Sequence, residues 1–331
     1  MILVVYGTRP EYIKVKSLIE KMQEEGVPFR TLFTGQHKDL VDAKPDFSAE
    51  IKDFGANRLD SIIQSLLNLE EEVFDDVNYV LVQGDTTSAL ALAITSLNRK
   101  IKVIHLEAGL RTYDFKNPFP EEYNRQLISR ISTIHLCPTQ QNKQNLNLEN
   151  IYDGVYVVGN TGLDGISSFK EKCHYRKKVL VTLHRRENHD QIANWFTSIE
   201  DLAVDYPDHE FILPIHPNPE VQKHRGLLKK VSVINPLSRE KLLEILVSCS
   251  IVITDSGGLQ EECSFFNKKC LVCRKTTERP ESLGKTSFLV ESADALSDLF
   301  SHHITTVEVN ESCPFGDGNS SQRIVEILKN L

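Results

Sequence analysis

Short apolar runs alternate with longer amphipathic stretches along nearly the whole chain. We predict strands at the ten runs 2–6, 29–33, 79–82, 102–106, 155–158, 179–183, 210–213, 231–234, 251–253 and 270–272. Most of the amphipathic stretches between them are predicted to be helices. Strands that alternate with helices form parallel sheets joined by right-handed crossovers. The pattern therefore predicts an α/β protein.

Ten strands are more than one doubly wound sheet of this kind holds, so the chain is predicted to form two domains. Three glycines over 159–165, followed by a charged stretch, mark the break. We assign residues 1–165 to the first domain and 166–317 to the second, and expect the last helix, about 318–331, to pack back on the first. The predicted fold is two Rossmann-like domains whose parallel sheets face across a cleft, with ligands at the carboxyl ends of the strands.

One strand end has the composition of a phosphate-binding turn. The strand at 251–253 runs into Ser256, Gly257 and Gly258 and then into a helix that carries Glu262. Glycine lets the backbone turn sharply and approach a ligand, while the free N–H groups at the start of the helix face an anion. Similar turns occur in α/β proteins that bind no ligand, so this turn alone does not establish phosphate binding. The residues at the other strand ends provide the further evidence.

Composition and charge indicate what kind of ligand the protein binds and in which cellular compartment it works. The chain has 331 residues and a formal net charge of −8, which argues against a broad nucleic-acid or membrane surface and favours a small ligand. Met1 leads directly into a strand, which leaves no room for a signal peptide, and seven cysteines fit free thiols in a reducing compartment. We expect a cytoplasmic protein. Cys270 and Cys273 are interpreted as core residues, and no metal site is expected.

Cations follow the first strand. Arg9 lies at a predicted helix start, next to Pro10, and Lys14 lies one turn further on. Arg9 could bind a phosphate, although a surface arginine at a helix start is the simpler interpretation. Only Gly7 is present where a dinucleotide-binding loop would have three glycines, so no nicotinamide cofactor is expected.

Carboxylates follow the next strands. Asp85 precedes Thr86, Thr87 and Ser88, which favours helix N-capping as its first interpretation. Glu107 follows the strand at 102–106, while Glu121 and Arg125 have the spacing of neighbours on one helix face. If these carboxylates meet in one partly dry site, they can serve as an acid and a base.

The second half places histidines at strand ends. His184 could bind a diphosphate or protonate a leaving oxygen, and His216 occupies the same kind of position within a rigid, proline-flanked turn. Arg279 could supply a further cation to the cleft.

Together these residues resemble a known family. The matching segments run in order along almost the whole chain: Gly7-Thr-Arg-Pro-Glu11, Gly84-Asp-Thr-Thr87, His105-Leu-Glu-Ala-Gly-Leu-Arg-Thr112, Pro120-Glu-Glu-Tyr-Asn-Arg125, Gly159-Asn-Thr161, His184-Arg-Arg-Glu187, Asp255-Ser-Gly-Gly-Leu-Gln-Glu-Glu262 and Thr276-Thr-Glu-Arg-Pro-Glu281. They are similar to those of the non-hydrolysing UDP-N-acetylglucosamine 2-epimerases. The resemblance implies a glycosyltransferase-B-like fold, a homodimer, and interconversion of UDP-GlcNAc and UDP-ManNAc without a cofactor.

The resemblance also implies roles for individual residues. The catalytic positions are Asp85, Glu107, Glu121, Arg125 and His184. The substrate-binding positions are Arg9, Lys14, His216, Ser256, Gly257, Gly258, Glu262 and Arg279. Gln36, His37 and Arg58 match residues that bind an activating second UDP-GlcNAc in bacterial relatives.

The chain departs from the family pattern where relatives hold uracil, because Leu237 and Leu242 stand in place of a glutamine and an aromatic residue. These altered contacts permit 2-epimerisation of a related deoxy or diacetamido UDP-sugar. Two further enzymatic alternatives stay open: hydrolytic release of free ManNAc, because the hydrolysing branch shares part of the motifs, and glycosyl transfer on the same fold. A protein that only senses nucleotide sugars would not need Asp85, Glu107 and Glu121, so their presence favours an enzyme.

Overall fold

A computed structural model describes residues 1–36, 44–55, 57–116 and 118–331 of the chain. The chain divides into two compact units. The first contains residues 1–165 and 316–331, and the second contains residues 166–315.

The first unit is built on a parallel sheet. Its strands are β1 (Ile2–Tyr6), β2 (Phe29–Phe33), β3 (Phe47–Ser48), β4 (Tyr79–Gln83), β5 (Lys102–Leu106), β6 (Ile134–Cys137) and β7 (Val155–Val157). Among the described residues they lie in the order β3-β2-β1-β4-β5-β6-β7, and every neighbouring pair is parallel. The chain first adds strands on one side of β1 and then, starting with β4, on the other side. The loops that follow β1 and β4 therefore diverge and leave a crevice between them.

Helices cover both faces of this sheet. They are α1 (Arg9–Glu24), α2 (Arg58–Leu67), α3 (Thr87–Asn98), α4 (Glu121–Ile131) and α5 (Gln140–Leu148), with 3-10 turns at Glu71–Phe74 and Thr161–Lys172, the latter reaching into the second unit. Alternate residues of β1 enter opposite cores: Val4 packs with Val15 and Leu18 of α1, whereas Val5 packs on the face that α2 and α3 cover. Burial on both sides explains why these strands are continuously apolar.

The second unit repeats the plan with six strands. They are β8 (Lys178–Thr182), β9 (Glu210–Pro214), β10 (Ser232–Ile234), β11 (Ile251–Thr254), β12 (Lys269–Val272) and β13 (Ser287–Leu289), in the parallel order β10-β9-β8-β11-β12-β13. Its helices are α6 (Ile192–Asp205), α7 (Pro219–Gln222), α8 (Arg239–Ser248), α9 (Gly257–Phe265) and α10 (Leu296–Ile304), with 3-10 turns at Arg186–Gln191, Arg225–Leu227, Pro280–Ser282 and Ala293–Ala295. The switch point of this sheet lies between β8 and β11.

The last helix belongs to the first unit. α11 (Ser320–Leu328) follows the second unit in the chain and buries Ile324, Val325 and Leu328 in the core that contains Leu18 of α1. Asp164 accepts hydrogen bonds from the backbone N–H groups of Ser320 and Ser321, at 3.0 and 2.6 Å, and so holds the start of the helix.

The predicted fold class, two Rossmann-like domains with parallel sheets, is confirmed. Each of the ten predicted strands is present, with ends that differ by one residue or less. The prediction missed β3, β6 and β13, which are short. β6 also contains the polar His135, so it lacks the apolar run that marks the other strands.

The cysteines and the membrane-spanning potential of the helices are the two remaining features of the fold. All seven cysteines lie in the described part of the chain and are free thiols, and Cys270 and Cys273 are buried. Burial raises the pKa of the Cys273 thiol well above its ordinary value. No helix within the described residues is both long and apolar enough to span a bilayer.

Candidate active site

The loop after β1 is fixed by a buried carboxylate. Thr8 caps α1, and the Oε2 atom of Glu11 accepts hydrogen bonds from the backbone N–H groups of Gly7 and Thr8 at 2.9 and 2.7 Å. The Oε1 atom of Glu11 accepts a hydrogen bond from the Thr86 hydroxyl at 2.7 Å. Glu11 therefore joins the loop after β1 to the loop after β4. Arg9, which follows the first of these loops, is exposed.

The second carboxylate is held by two side chains. Glu107 follows β5, and both the Lys14 ammonium group and the Gln83 amide contact its carboxylate. The backbone φ of Glu107 is +68°, in the left-handed region that non-glycine residues rarely adopt. Lys14, which the resemblance places among the substrate-binding residues, thus forms an ion pair with Glu107 in this structure.

The third carboxylate faces an arginine. Asp85 follows β4, and its Oδ2 atom lies 2.5 Å from the Nη2 atom of Arg125 on α4. The side-chain amide of Asn124 donates a hydrogen bond to the backbone oxygen of Asp85 at 2.8 Å. Thr86, not Asp85, caps α3, because the Thr86 side chain accepts the backbone N–H of Ala89. The helix-capping interpretation of Asp85 is therefore wrong.

α4 begins with the candidate carboxylate Glu121. It precedes Arg125 by one helical turn, so the two side chains share a face of α4. Within the described residues, the buried Oε2 atom of Glu121 accepts no hydrogen bond. A buried carboxylate oxygen without a donor costs free energy, and such atoms in native structures call for a functional or structural explanation.

The residues matched to a regulatory position lie close to these loops. Arg58, at the start of α2, donates a hydrogen bond to the backbone oxygen of Gln36 at 2.6 Å. The side-chain oxygen of Gln36 accepts the backbone N–H of Ser88 at 3.3 Å. His37 lies outside the described residues.

In the second unit, a buried aspartate organises the loop after β8. The Oδ2 atom of Asp255 accepts the backbone N–H groups of His184 and Arg185, both at 2.9 Å, and the Asn188 amide at 3.0 Å. The Oδ1 atom of Asp255 lies 3.3 Å from the His184 Nδ1 atom. The His216 ring stacks on the His184 ring, with 5.4 Å between the two ring centroids.

Burial sets the protonation state of His184. Desolvation lowers the pKa of this histidine, and the opposing attraction of Asp255 does not restore it. The pKa of His216 is lowered by the same cause. The lowered pKa favours the neutral imidazole near pH 7, and the tautomer of that ring decides whether the nitrogen that does not face Asp255 is a donor or an acceptor.

The turn after β11 opens α9. Ser256 caps the helix by accepting the backbone N–H of Leu259 at 3.5 Å, and Gly257 and Gly258 form its first turn. The Arg279 guanidinium lies directly over Gly257, where any Cβ atom would collide with it. This crowding explains why the first position of the helix is glycine.

Arg279 belongs to a buried network of charges. It contacts Glu261 and lies 2.5 Å from Glu278, which in turn lies 2.9 Å from Arg274. Burial opposes the ionisation of Glu278, but the guanidinium groups of Arg279 and Arg274 hold its pKa well below the usual range. Arg274 also pairs with Glu187, at 2.6 Å. Arg279 thus lies at the start of α9, but carboxylates surround it.

The carboxylate further along α9 is also paired. The Oε1 atom of Glu262 lies 2.6 Å from the Nη2 atom of Arg239, the first residue of α8. Leu237 and Leu242, on either side of Arg239 in sequence, are half-buried.

Several residues that fix the site had no role assigned from the sequence. They are Glu11, Gln83, Glu122, Asp255 and Glu278. For Glu11 a signal was available, because Thr8 and Glu11 have the spacing of a capping box. Glu122 and Glu278 also have local partners, Arg125 and Arg274, at the spacing of neighbours on a helix face. The partners of Gln83 and Asp255 lie 24 and 71 positions away, so no local pattern marks those contacts.

A model of the UDP-N-acetylglucosamine 2-epimerase family matches residues 20–329 of the chain. The chain belongs to this family. Relatives of the same name resemble the epimerase chain over its whole length. The protein from Campylobacter jejuni is 34% identical, with 99% of this chain and 97% of the relative covered, and the protein from Neisseria meningitidis is 35% identical, with 99% of each covered.

Solved structures support the same family. The crystal structure of UDP-GlcNAc 2-epimerase from N. meningitidis bound to UDP-GlcNAc superposes with a TM-score of 0.90 at 34% identity, over 100% of both chains. MurG from Acinetobacter baumannii gives a TM-score of 0.63 at 10% identity, which is a likeness of fold alone. The epimerase chain therefore has a glycosyltransferase-B-like fold.

Proposed function

We propose that the protein is an isomerase that interconverts UDP-GlcNAc and UDP-ManNAc by inverting the configuration at C2 of the sugar. Membership of the family and the full-length likeness to a relative with UDP-GlcNAc bound support this substrate. The observation that carries the proposal is the grouping of carboxylates at one sheet edge, where Asp85 and Glu107 follow adjacent strands.

The reaction has to remove a proton that no carbonyl group acidifies. We propose elimination: the C2–H bond and the bond from C1 to the UDP oxygen break, a C1–C2 double bond forms, and UDP leaves. Re-addition of UDP at C1 and of a proton to the opposite face of C2 gives the epimer. No net oxidation occurs, so the route requires no redox cofactor.

The first unit supplies the groups that move the proton. Asp85, Glu107 and Glu121 together supply the candidate acid and base. The ion pairs to Arg125 and Lys14 fix the orientation of Asp85 and Glu107. Positioned proton-transfer groups contribute about two to four orders of magnitude to rate.

The second unit binds the nucleotide diphosphate. The free N–H groups and the positive dipole end of α9, at Ser256, Gly257 and Gly258, suit a diphosphate. Arg279, at the start of α9, would add positive charge there. In the first unit, the exposed Arg9 is proposed to bind substrate. His184 would stabilise or protonate the departing UDP, with His216 stacked against its ring.

Three further features belong to the proposal. Glu262 would accept hydrogen bonds from ribose hydroxyls. Gln36 and Arg58 would belong to a second, regulatory UDP-sugar position, which their mutual contact supports. The protein would act in the cytoplasm as a homodimer; the free thiols support the first statement and the family resemblance supports the second.

Product analysis tests the proposal against its hydrolytic alternative. Purified protein incubated with UDP-GlcNAc is expected to give UDP-ManNAc as the new sugar species, resolved by anion-exchange chromatography and identified by mass and retention time. Stoichiometric free ManNAc and UDP would instead assign the protein to the hydrolysing branch. If UDP-GlcNAc is bound but recovered unchanged, the substrate proposed here is wrong.

A further inference from the structure

Glu122, the residue next to the candidate catalytic Glu121, is completely buried. Its Oε2 atom accepts hydrogen bonds from the backbone N–H and the hydroxyl of Thr112, both at 3.0 Å. Its Oε1 atom accepts the side-chain amide of Gln126 at 2.8 Å. The side chain has no solvent exposure, so it cannot contact a substrate. Three donors hold a carboxylate that performs no chemistry itself.

The same carboxylate faces the arginine that binds Asp85. The Oε2 atom of Glu122 lies 3.3 Å from the Nη1 atom of Arg125, and the Nη2 atom of Arg125 lies 2.5 Å from Asp85. Solvent exposure rises along this row, from 0% for Glu122 through 5% for Arg125 to 28% for Asp85. The buried end is therefore fixed, and the end that reaches the surface is the candidate catalytic carboxylate.

Glu122 also connects the three chain segments that carry the candidate carboxylates. Thr112 belongs to the loop that begins at Glu107, Glu122 itself lies beside Glu121 at the start of α4, and Arg125 reaches the loop that contains Asp85. A single buried side chain thus sets the relative places of all three.

We propose that Glu122 is a positioning residue for the epimerisation: by holding Arg125 and Thr112 it fixes where Asp85 and Glu107 meet the sugar. This inference rests on the proposed function. A neutral residue at position 122 removes one of the two carboxylates that flank Arg125, so Arg125 would shift towards the remaining one, Asp85. A misplacement of about 1 Å in a catalytic group can reduce the rate by about one-hundredfold.

The test is Glu122→Gln, which keeps the size of the side chain and removes its charge. We expect kcat with UDP-GlcNAc to fall by about tenfold to one-hundredfold. We expect KM and the dissociation constant for UDP to stay within about twofold of wild type, because nucleotide binding is assigned to other residues. Glu122→Asp retains the charge and is expected to recover part of the lost kcat.

Glu200→Gln is the matched control. Glu200 of the second unit also accepts three hydrogen bonds, from the backbone N–H groups of Lys229, Lys230 and Val231 at 2.9, 2.7 and 3.3 Å, so this variant also removes the charge of a carboxylate held by three donors, without touching the segments that carry Asp85, Glu107 and Glu121. It is expected to lower the melting temperature and leave kcat unchanged.

Two outcomes would overturn the inference: a wild-type kcat in Glu122→Gln, whatever its melting temperature, or an equal loss of kcat in Glu200→Gln, which would attribute the effect to general destabilisation. If Glu122→Gln does not fold, Thr112→Val removes one donor to Glu122 and is expected to lower kcat several-fold; an unchanged kcat would refute the positioning role. A wild-type protein inactive on UDP-GlcNAc would contradict the proposed function instead, so the two failures are distinguishable.

Discussion

Glu107→Gln and Glu121→Gln are each expected to lower turnover of UDP-GlcNAc by about one-hundredfold or more, the usual scale for removing a proton-transfer group. Glutamine has nearly the same size as glutamate but cannot accept a proton at neutral pH. Lys14 and Gln83 fix the orientation of the Glu107 carboxylate, and the buried Oε2 atom of Glu121 accepts no hydrogen bond among the described residues. Steady-state kinetics of the two purified variants measures the loss.

The effect should fall on kcat and not on nucleotide binding. The dissociation constant for UDP, measured by calorimetry, is expected to stay near the wild-type value in both variants. Glu71→Gln is the control, because Glu71 is an exposed glutamate on the same unit that pairs with Arg99 away from the site. Turnover close to wild type in both Glu107→Gln and Glu121→Gln would refute the candidate site.

Gly257→Ala is expected to lower the free energy of unfolding by about 3 kcal/mol or more, the scale for breaking a buried ion pair. The new Cβ would lie 2.9 Å from the Cζ atom of Arg279 and closer still to its Nη1 atom. A solvent-exposed arginine would rotate away from the new Cβ atom. Arg279, however, is only 7% exposed and contacts Glu261 and Glu278. Moving it would take one cation away from two buried carboxylates, Glu261 and Glu278, of which Glu278 keeps Arg274. Chemical denaturation measures the change.

The neighbouring glycine provides the comparison. A Cβ at Gly258 would meet nothing nearer than the Ser256 hydroxyl at 3.9 Å, an ordinary contact. Gly258→Ala is therefore expected to keep or raise the free energy of unfolding, by up to about 1 kcal/mol from the helix propensity of alanine. UDP affinity should fall in Gly257→Ala, because Arg279 moves. Equal stability of the two alanine variants would contradict the role assigned to Arg279.

The fold was predictable because its physical signal is local. A strand buried on both faces of a parallel sheet must be apolar throughout, so the runs at β1, β4 and β11 are visible in sequence. β6 was not predicted because a polar residue, His135, interrupts its apolar run of four residues. Asp85, Glu107 and His184 became candidates by the same logic, because they follow predicted strands; their roles, and the other site residues, come from the family resemblance and stay predictions.

The partners of those residues were not predictable. Lys14 contacts Glu107 across 93 positions of sequence, and no local pattern indicates that pairing. Asp85 and Thr86 are both good helix caps, and the backbone geometry of the folded loop selects Thr86. Arg279 was expected to face a ligand, and only the packed structure reveals the carboxylates that flank it.

Proton NMR of the protein with UDP-GlcNAc in D2O tests the central claim most directly. Elimination and re-addition predict that the H2 signal of the sugar is lost to deuterium as UDP-ManNAc appears, because the proton that leaves C2 exchanges with solvent before one returns. UDP-ManNAc that retains its H2 proton would contradict the proposed route, and a spectrum unchanged with time would contradict the proposed activity on this substrate.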